Sequence, residues 1–558
     1  SRAYISIINI RIILSFIILI LNANLKIEDI KQSKRESKGE NNVVKGPGED
    51  GQAYYLPPGN SAEKDKLYRS NGFNARASDD IAINRTLYDI RHPKCKEFVY
   101  PKDLPTTSVI IPFFNEHWST LLRTFTSILN RSPPEVLLEV ILVDDGSDKE
   151  FLKDKLDDYI SKIPKVSIIH LKKRAGLIRA RLAGAKVANG EVIVFLDSHT
   201  ECNIDWLPPL LAPIKENKRT CVCPFIDVID FENFAYREQD EGARGAFDWE
   251  LYYKRIPLSG ADKKNLPMPF KSPVMAGGLF AISAEFFWEL GGYDPGLDIW
   301  GGEQYELSFK IWQCGGVMLD APCSRIGHIY RKFAPFSNPG VGDYLGRNYK
   351  RVAEVWMDEY ADYIYRRRPH YYDINPGDLT EQKAIRKRLN CKPFKWFMTE
   401  IAYDLTKVYP PVEPPDFASG TIKSVSNPHL CVDTQFKHHQ ERFGLQSCGS
   451  GEQVFHLTWH KDIRPGKRPL CWDVSSGETQ APVLLYSCHG GMGNQLWKYD
   501  YVNQQLIHGV IPRCLDSNPG NMEIFVSVCD VNKETQKWSF ERYEAKKLDN
   551  WDNDGLVM

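Results

Sequence analysis

Four separate stretches of the chain carry metal-ligating or anion-binding side chains at spacings that could serve one reaction. The first is "FLDSHTECN", which follows the apolar run "EVIV". In an extended chain, residues i and i+2 point to the same side. Asp197 and His199 therefore converge just past a strand end, and a mixed oxygen and nitrogen pair suits a divalent transition metal. The competing reading is an aspartate that caps the next turn beside a surface histidine. Asp144 and Asp145 close a second apolar run, "LEVILVDD". In "DIWGGEQYELSFK", Trp300 and Glu303 sit where a Gly-rich loop opens a helical pattern. "PCSRIGHIYRK" adds His328 and Arg331, and "SPVMAGGLFAIS" offers a Gly-Gly pair, Gly277 and Gly278, where a ligand can approach the backbone closely.

The elements around these residues alternate. Strand patterns at 107–113, 138–148, 165–171 and 191–199 are separated by amphipathic stretches at 117–132 and 177–188. Such βα alternation predicts a largely parallel sheet that binds ligands at the carboxyl ends of its strands. Asp144, Asp145, Asp197 and His199 all fall at such ends. No GxGxxG or P-loop lysine accompanies them, which argues against a dinucleotide oxidoreductase or an NTPase.

The whole chain frames this unit. Its 558 residues call for two or three domains, and a net charge of −1 gives no polycationic signal for nucleic acid. Residues 1–22 are rich in Ile and Leu and read as an uncleaved membrane anchor, with a cleaved signal peptide as the rival. Residues 23–90 are polar and read as a stem, followed by a body at 91–407. The Pro-rich segment 408–417 reads as a linker, and 546–558 as a tail. Between them, 418–545 repeats itself three times. Cys431-Val-Asp433, Cys471-Trp-Asp473 and Cys514-Leu-Asp516 recur at intervals of 40 and 43 residues. Each is followed by a second cysteine (Cys448, Cys488, Cys529) and by a Gln-x-aromatic closure (Gln453, Gln495, Gln536). Short β-rich segments with Gly and Asn punctuation favour a threefold β structure.

The Cys-x-Asp and Gln-x-Trp pattern resembles a ricin-type β-trefoil lectin. The resemblance implies that Asp473, with His489 and Asn494 of the middle repeat, holds a sugar. The Asp145 and Asp197-x-His199 pattern resembles a GT-A glycosyltransferase, a Rossmann-like α/β fold for nucleotide-diphospho-sugars. With "FDWELYYKRIP", "RVAEVWMDEY" and "CKPFKWF" added, 90–545 is similar to the UDP-GalNAc:polypeptide N-acetylgalactosaminyltransferases, most of all to the subgroup that prefers glycosylated peptides.

That resemblance implies retaining, Mn2+-dependent transfer of GalNAc to Ser/Thr of polypeptides or GalNAc-glycopeptides. Asp197, His199 and His328 would hold the ion. Phe114, Asp145, Arg174, Ser198, Gly277 and Phe336 would line the donor pocket, with Glu303, Trp300 and Arg331 at the sugar and diphosphate. It also implies disulfides Cys95–Cys323 and Cys314–Cys391, leaves Cys202, Cys221 and Cys223 as buried thiols, and places the enzyme in the Golgi membrane with its catalytic part lumenal. Three positions depart from the family's habit: Phe114 stands for a histidine, Ala175 for an acid and Phe336 for a tyrosine. The residues alone leave open a silent sugar-binding protein and a transferase for another UDP-sugar.

Overall fold

The computed structural model describes residues 46–59, 61–239, 242–466, 468–510 and 512–551. The apolar segment read as an anchor lies outside them. Among the described residues no helix is long and apolar enough to cross a membrane.

The body is a three-layer α/β/α unit. Its strands are β1 (Thr107–Phe113), β2 (Leu137–Asp144), β3 (Val166–His170), β4 (Val192–Phe195), β5 (Thr200–Cys202), β6 (Thr220–Ile229), β7 (Phe280–Ser283) and β8 (Val317–Ile329). The sheet order is β8-β6-β7-β4-β1-β2-β3, with β5 pairing the far end of β8. β4, β1, β2 and β3 are parallel, as the alternation predicts. β7 runs antiparallel to both its neighbours, which makes the sheet mixed.

Apolar residues of the central strands divide between two cores with period two. Ile110, Ile193 and Phe195 face one core. Val109, Ile111, Val192 and Val194 face the other. The helices α1 (Trp118–Arg131), α2 (Leu177–Val187), α3 (Pro208–Glu216), α4 (Glu303–Gln313) and α5 (Tyr344–Trp356) cover these faces. α1 supplies Leu121, Leu122, Phe125 and Ile128 to one core, and α4 supplies Leu307, Phe309 and Ile311 to the other. Each such fully buried side chain contributes about 1.5–3 kcal/mol.

Residues 46–90, read as part of a stem, pack on the body instead. Phe73, Ala75, Ala77, Ile81 and Leu87 form a small core with Tyr236 and Ile329. Arg85 reaches Glu201 in a buried bidentate pair, with bonds of 2.8 and 2.9 Å. Removing either partner of such a pair costs about 3–5 kcal/mol. The linker is docked at both ends. Trp249 Nε1 donates to the Tyr409 carbonyl at 2.7 Å, and Asp416 meets His456 at 2.7 Å.

Residues 418–543 form a β-trefoil. In each repeat the glutamine amide donates both to the repeat's aspartate and to a backbone carbonyl, that of Ser447, Ser487 or Val528. Trp472, Trp497 and Trp538 fill the shared core. Disulfides join Cys431–Cys448, Cys471–Cys488 and Cys514–Cys529 in the trefoil, and Cys95–Cys323 and Cys314–Cys391 in the body. Cys202, Cys221 and Cys223 are free and buried.

Candidate active site

A cavity of about 570 Å3 opens at the carboxyl ends of β1, β2 and β4. Every residue predicted for the catalytic site lines it: Phe114, Asp145, Arg174, Asp197, Ser198, His199, Gly277, Trp300, Glu303, His328, Arg331 and Phe336. Pairing explains how residues distant in sequence meet. β5 runs antiparallel to β8 with Thr200 opposite His328, and Ile329 N donates to the His199 carbonyl at 3.1 Å. The two imidazole rings thus stand 4.7 Å apart.

Asp197 is the floor of the site. Its Oδ1 accepts from Arg181 Nη2 at 3.1 Å, and its Oδ2 lies 3.3 Å from His328 Nε2. Burial works against its charge. The hydrogen bond from His328 and the Arg181 charge outweigh that and hold the carboxyl well below the usual range. Two donors on adjacent corners of an octahedral ion lie ~3 Å apart for bonds of ~2.1 Å, so Asp197 and His328 fit a shared cation. Gly278 keeps that space open, since a Cβ there would sit 2.5 Å from Asp197 Oδ2. His328 Nδ1 is buried without a hydrogen-bond partner. His199 completes the group beside the His328 ring, with its Nδ1 bonded to Glu116 at 2.9 Å. Among the described residues, Asp462, Cys471 and Cys488 bring their ligand atoms within 4.8 Å of one another, but the two sulfurs are bonded to each other.

Two residues unassigned by the sequence reading organise the site. Glu116, three residues past β1, is buried; its Oε2 accepts from Ser198 Oγ at 2.7 Å, His199 Nδ1 at 2.9 Å and Arg331 Nη2 at 2.6 Å. Burial disfavours its charge, yet Arg331 and His199 hold the carboxyl well below its ordinary value. Burial and the Arg331 charge push the His199 imidazole down, toward the neutral form that metals bind. Arg181, fully buried on α2, donates to the Gly277 and Gly278 carbonyls at 2.9 and 3.1 Å and lies 3.8 Å from Glu303. Glu303 is the first residue of α4, and burial raises its pKa.

The nucleotide end is different in kind. Asp145 accepts from the Ala175 and Gly176 backbone at 2.6 and 2.8 Å, so its carboxylate shapes the 174–176 turn. The Arg174 guanidinium lies 4.4 Å above the Phe114 ring and donates to the Ser337 carbonyl at 3.0 Å. Phe114 and Phe336 meet edge to face at 5.6 Å. Trp300 stands at the mouth, 54% exposed.

Comparison with known proteins follows this division. Glycosyl transferase family 2 matches residues 108–291, the "N-terminal domain of galactosyltransferase" matches 258–333, and a ricin-type beta-trefoil lectin domain matches 418–538. The human "Polypeptide N-acetylgalactosaminyltransferase 10" is 54% identical over 91% of this chain and 85% of its own length. The chain belongs to the polypeptide N-acetylgalactosaminyltransferase family. Another relative, the "N-acetylgalactosaminyltransferase 6" of Drosophila melanogaster, is 54% identical over 92% of this chain and 78% of its own. A crystal structure of GalNAc-T7 with UDP, GalNAc and Mn2+ superposes with a TM-score of 0.65 at 40% identity, covering 90% of this chain and 94% of that one. For a polypeptide N-acetylgalactosaminyltransferase, the cleft is where a nucleotide sugar would lie.

The trefoil site stands apart. Asp473 is buried and accepts from Gln495 Nε2 at 3.1 Å. His489 N donates to Gln495 Oε1 at 3.1 Å, and the Asn494 carbonyl accepts from Val474 N at 2.9 Å. One glutamine and one turn therefore bring Asp473, His489 and Asn494 together.

Proposed function

We propose that this chain transfers GalNAc from UDP-GalNAc to Ser/Thr hydroxyls of polypeptides and GalNAc-glycopeptides, with retention of configuration. The observation that carries the reading is the meeting of Asp197, His199 and His328 on the floor of the cleft, in a chain of this family. These three side chains would hold Mn2+, which when bound neutralises charge on the departing diphosphate.

The chain's own residues do the rest. Glu116 occupies Nδ1 of His199, so its other ring nitrogen would be the one to bind the ion. Arg331 offers its planar donor fork to phosphate oxygens, and Arg174 stands at the nucleotide end. Glu303 accepts hydroxyls of the sugar, and Trp300 bounds sugar and acceptor. No carboxylate is needed as a nucleophile if the acceptor hydroxyl attacks on the face that UDP leaves and a phosphate oxygen takes its proton. Asp473, His489 and Asn494 would hold a GalNAc already on the substrate. The apolar 1–22 segment would anchor the chain as a type II protein of the Golgi membrane. Five disulfides support an oxidising lumen.

The test is UDP release from UDP-GalNAc, UDP-GlcNAc and UDP-Gal on one Thr-rich peptide, naked and GalNAc-bearing, with and without Mn2+. Release from UDP-GalNAc alone, and only with the ion, is expected. No release from any donor leaves a carbohydrate-binding protein.

A further inference from the structure

Arg331 sits in a seat built by a segment that the sequence assigns to the stem. Its Nη1 donates to the Asn71 carbonyl, and its guanidinium lies 5.0 Å from the centre of the Phe73 ring. Between them, Gly72 accepts from Lys332 N at 2.9 Å and adopts φ 73°. A Cβ on Gly72 would stand 2.3 Å from the Phe333 carbonyl oxygen and 3.2 Å from Arg331 Cβ. The backbone of 71–73 therefore touches the strand end that carries Arg331 with no room to spare.

The seat is itself fixed. The helix Ala75–Asp80, which follows it, is bolted to α1: Arg123 donates to the Ser78 and Ile81 carbonyls at 2.7 and 2.9 Å, and Asp79 meets His117 at 2.7 Å. Phe73 is fully buried, edge to face with His117 and Phe234. Lys149 Nζ joins the Asn71 side chain at 3.3 Å to the Asn115 carbonyl at 2.6 Å, next to Glu116. An arginine held on one side by the Glu116 carboxylate and on the other by a carbonyl and a ring face has little freedom to swing. Two of those restraints come from residues 71–73, ahead of β1.

We infer that Asn71, Gly72 and Phe73 are positioning residues for the donor diphosphate, acting through Arg331. This rests on the reading of Arg331 as the phosphate-facing cation. It makes residues 71–73 part of the donor site rather than of a free tether.

The test uses the whole chain and two readouts: UDP affinity by calorimetry in the presence of Mn2+, and KM for UDP-GalNAc and for peptide. Phe73→Leu keeps a buried apolar group and removes the ring face; Gly72→Ala forces the backbone off Phe333. Each is expected to weaken UDP binding and raise donor KM about fivefold, with peptide KM unchanged. In an Arg331→Lys background, which lacks the planar fork, neither change should weaken UDP binding further. Equal effects in both backgrounds, or effects on thermal midpoint or peptide KM alone, overturn the inference. Wild-type chain that binds UDP without turning over UDP-GalNAc would sink the transferase reading while the affinity arm still decides this one.

Discussion

Asp197 in the cleft and Asp473 in the trefoil both lie at or just past the end of a short buried strand, and a nitrogen donor orients one oxygen of each. In the cleft the holding group is a charged, fully buried Arg181, and the second oxygen faces His328. In the trefoil it is a neutral amide. The other two repeats carry the comparison further. Asp516 accepts from Lys533 at 2.5 Å, Ser527 at 2.5 Å and Thr535 at 2.7 Å, besides Gln536. Asp433 accepts from Gln435 N at 2.6 Å, and beside it Glu452 is bound by Arg468 and Thr434. Among the described residues, Asp473 accepts from the Gln495 amide, whereas Asp433 accepts from its own glutamine, Gln453, and from the Gln435 and Glu452 backbone amides. Sequence repetition makes the three aspartates equivalent; the number of lone pairs already used makes them unequal.

The largest effect is expected where a charge holds a charge. Arg181→Leu leaves Asp197 and Glu303 without their shared cation in a buried site. Loss of about 3–5 kcal/mol in denaturant unfolding is expected, together with loss of Mn2+ binding by titration. A variant as stable as wild type would show that the carboxylates do not depend on Arg181.

The three repeats should separate next. Asp473→Ala is expected to abolish binding of free GalNAc while leaving turnover of naked peptide intact. Asp516→Ala should do the opposite to the trefoil: sugar binding unchanged, but stability lowered by about 1–3 kcal/mol because buried donors lose their acceptor. Calorimetric titration with GalNAc and thermal unfolding read both. Sugar binding lost with Asp516 rather than Asp473 would reverse the assignment.

Residues that obey a short period were legible. Asp197 and His199 are two apart at the end of a continuous apolar run, and the trefoil aspartates are marked by their cysteines. His328 was reachable only through family resemblance, because its place depends on β5 folding back onto β8. Glu116 and Arg181 escaped for a physical reason. A glutamate after a strand and an arginine on an amphipathic helix look solvated until burial is known, and both are buried here. "FAIS" is too short to carry direction, so the antiparallel β7 was invisible. Residues 46–90 are polar in bulk, and a few well-placed apolar side chains (Phe73, Ile81, Leu87) were enough to dock them.

The smallest effect sharpens the comparison at the nucleotide end, where aromatic faces replace polar contacts. Phe336 packs its edge on Phe114 and lies 5.4 Å beneath the Arg331 guanidinium, about a third exposed at the cavity rim. Phe336→Tyr adds a hydroxyl at the ring tip without disturbing either packing contact. A hydroxyl that reaches a phosphate oxygen should contribute about 1 kcal/mol net and lower donor KM about fivefold, with peptide KM unchanged. If donor KM stays put, the two arginines already satisfy the phosphates, and the paired rings act by orienting guanidinium groups rather than by lacking a donor.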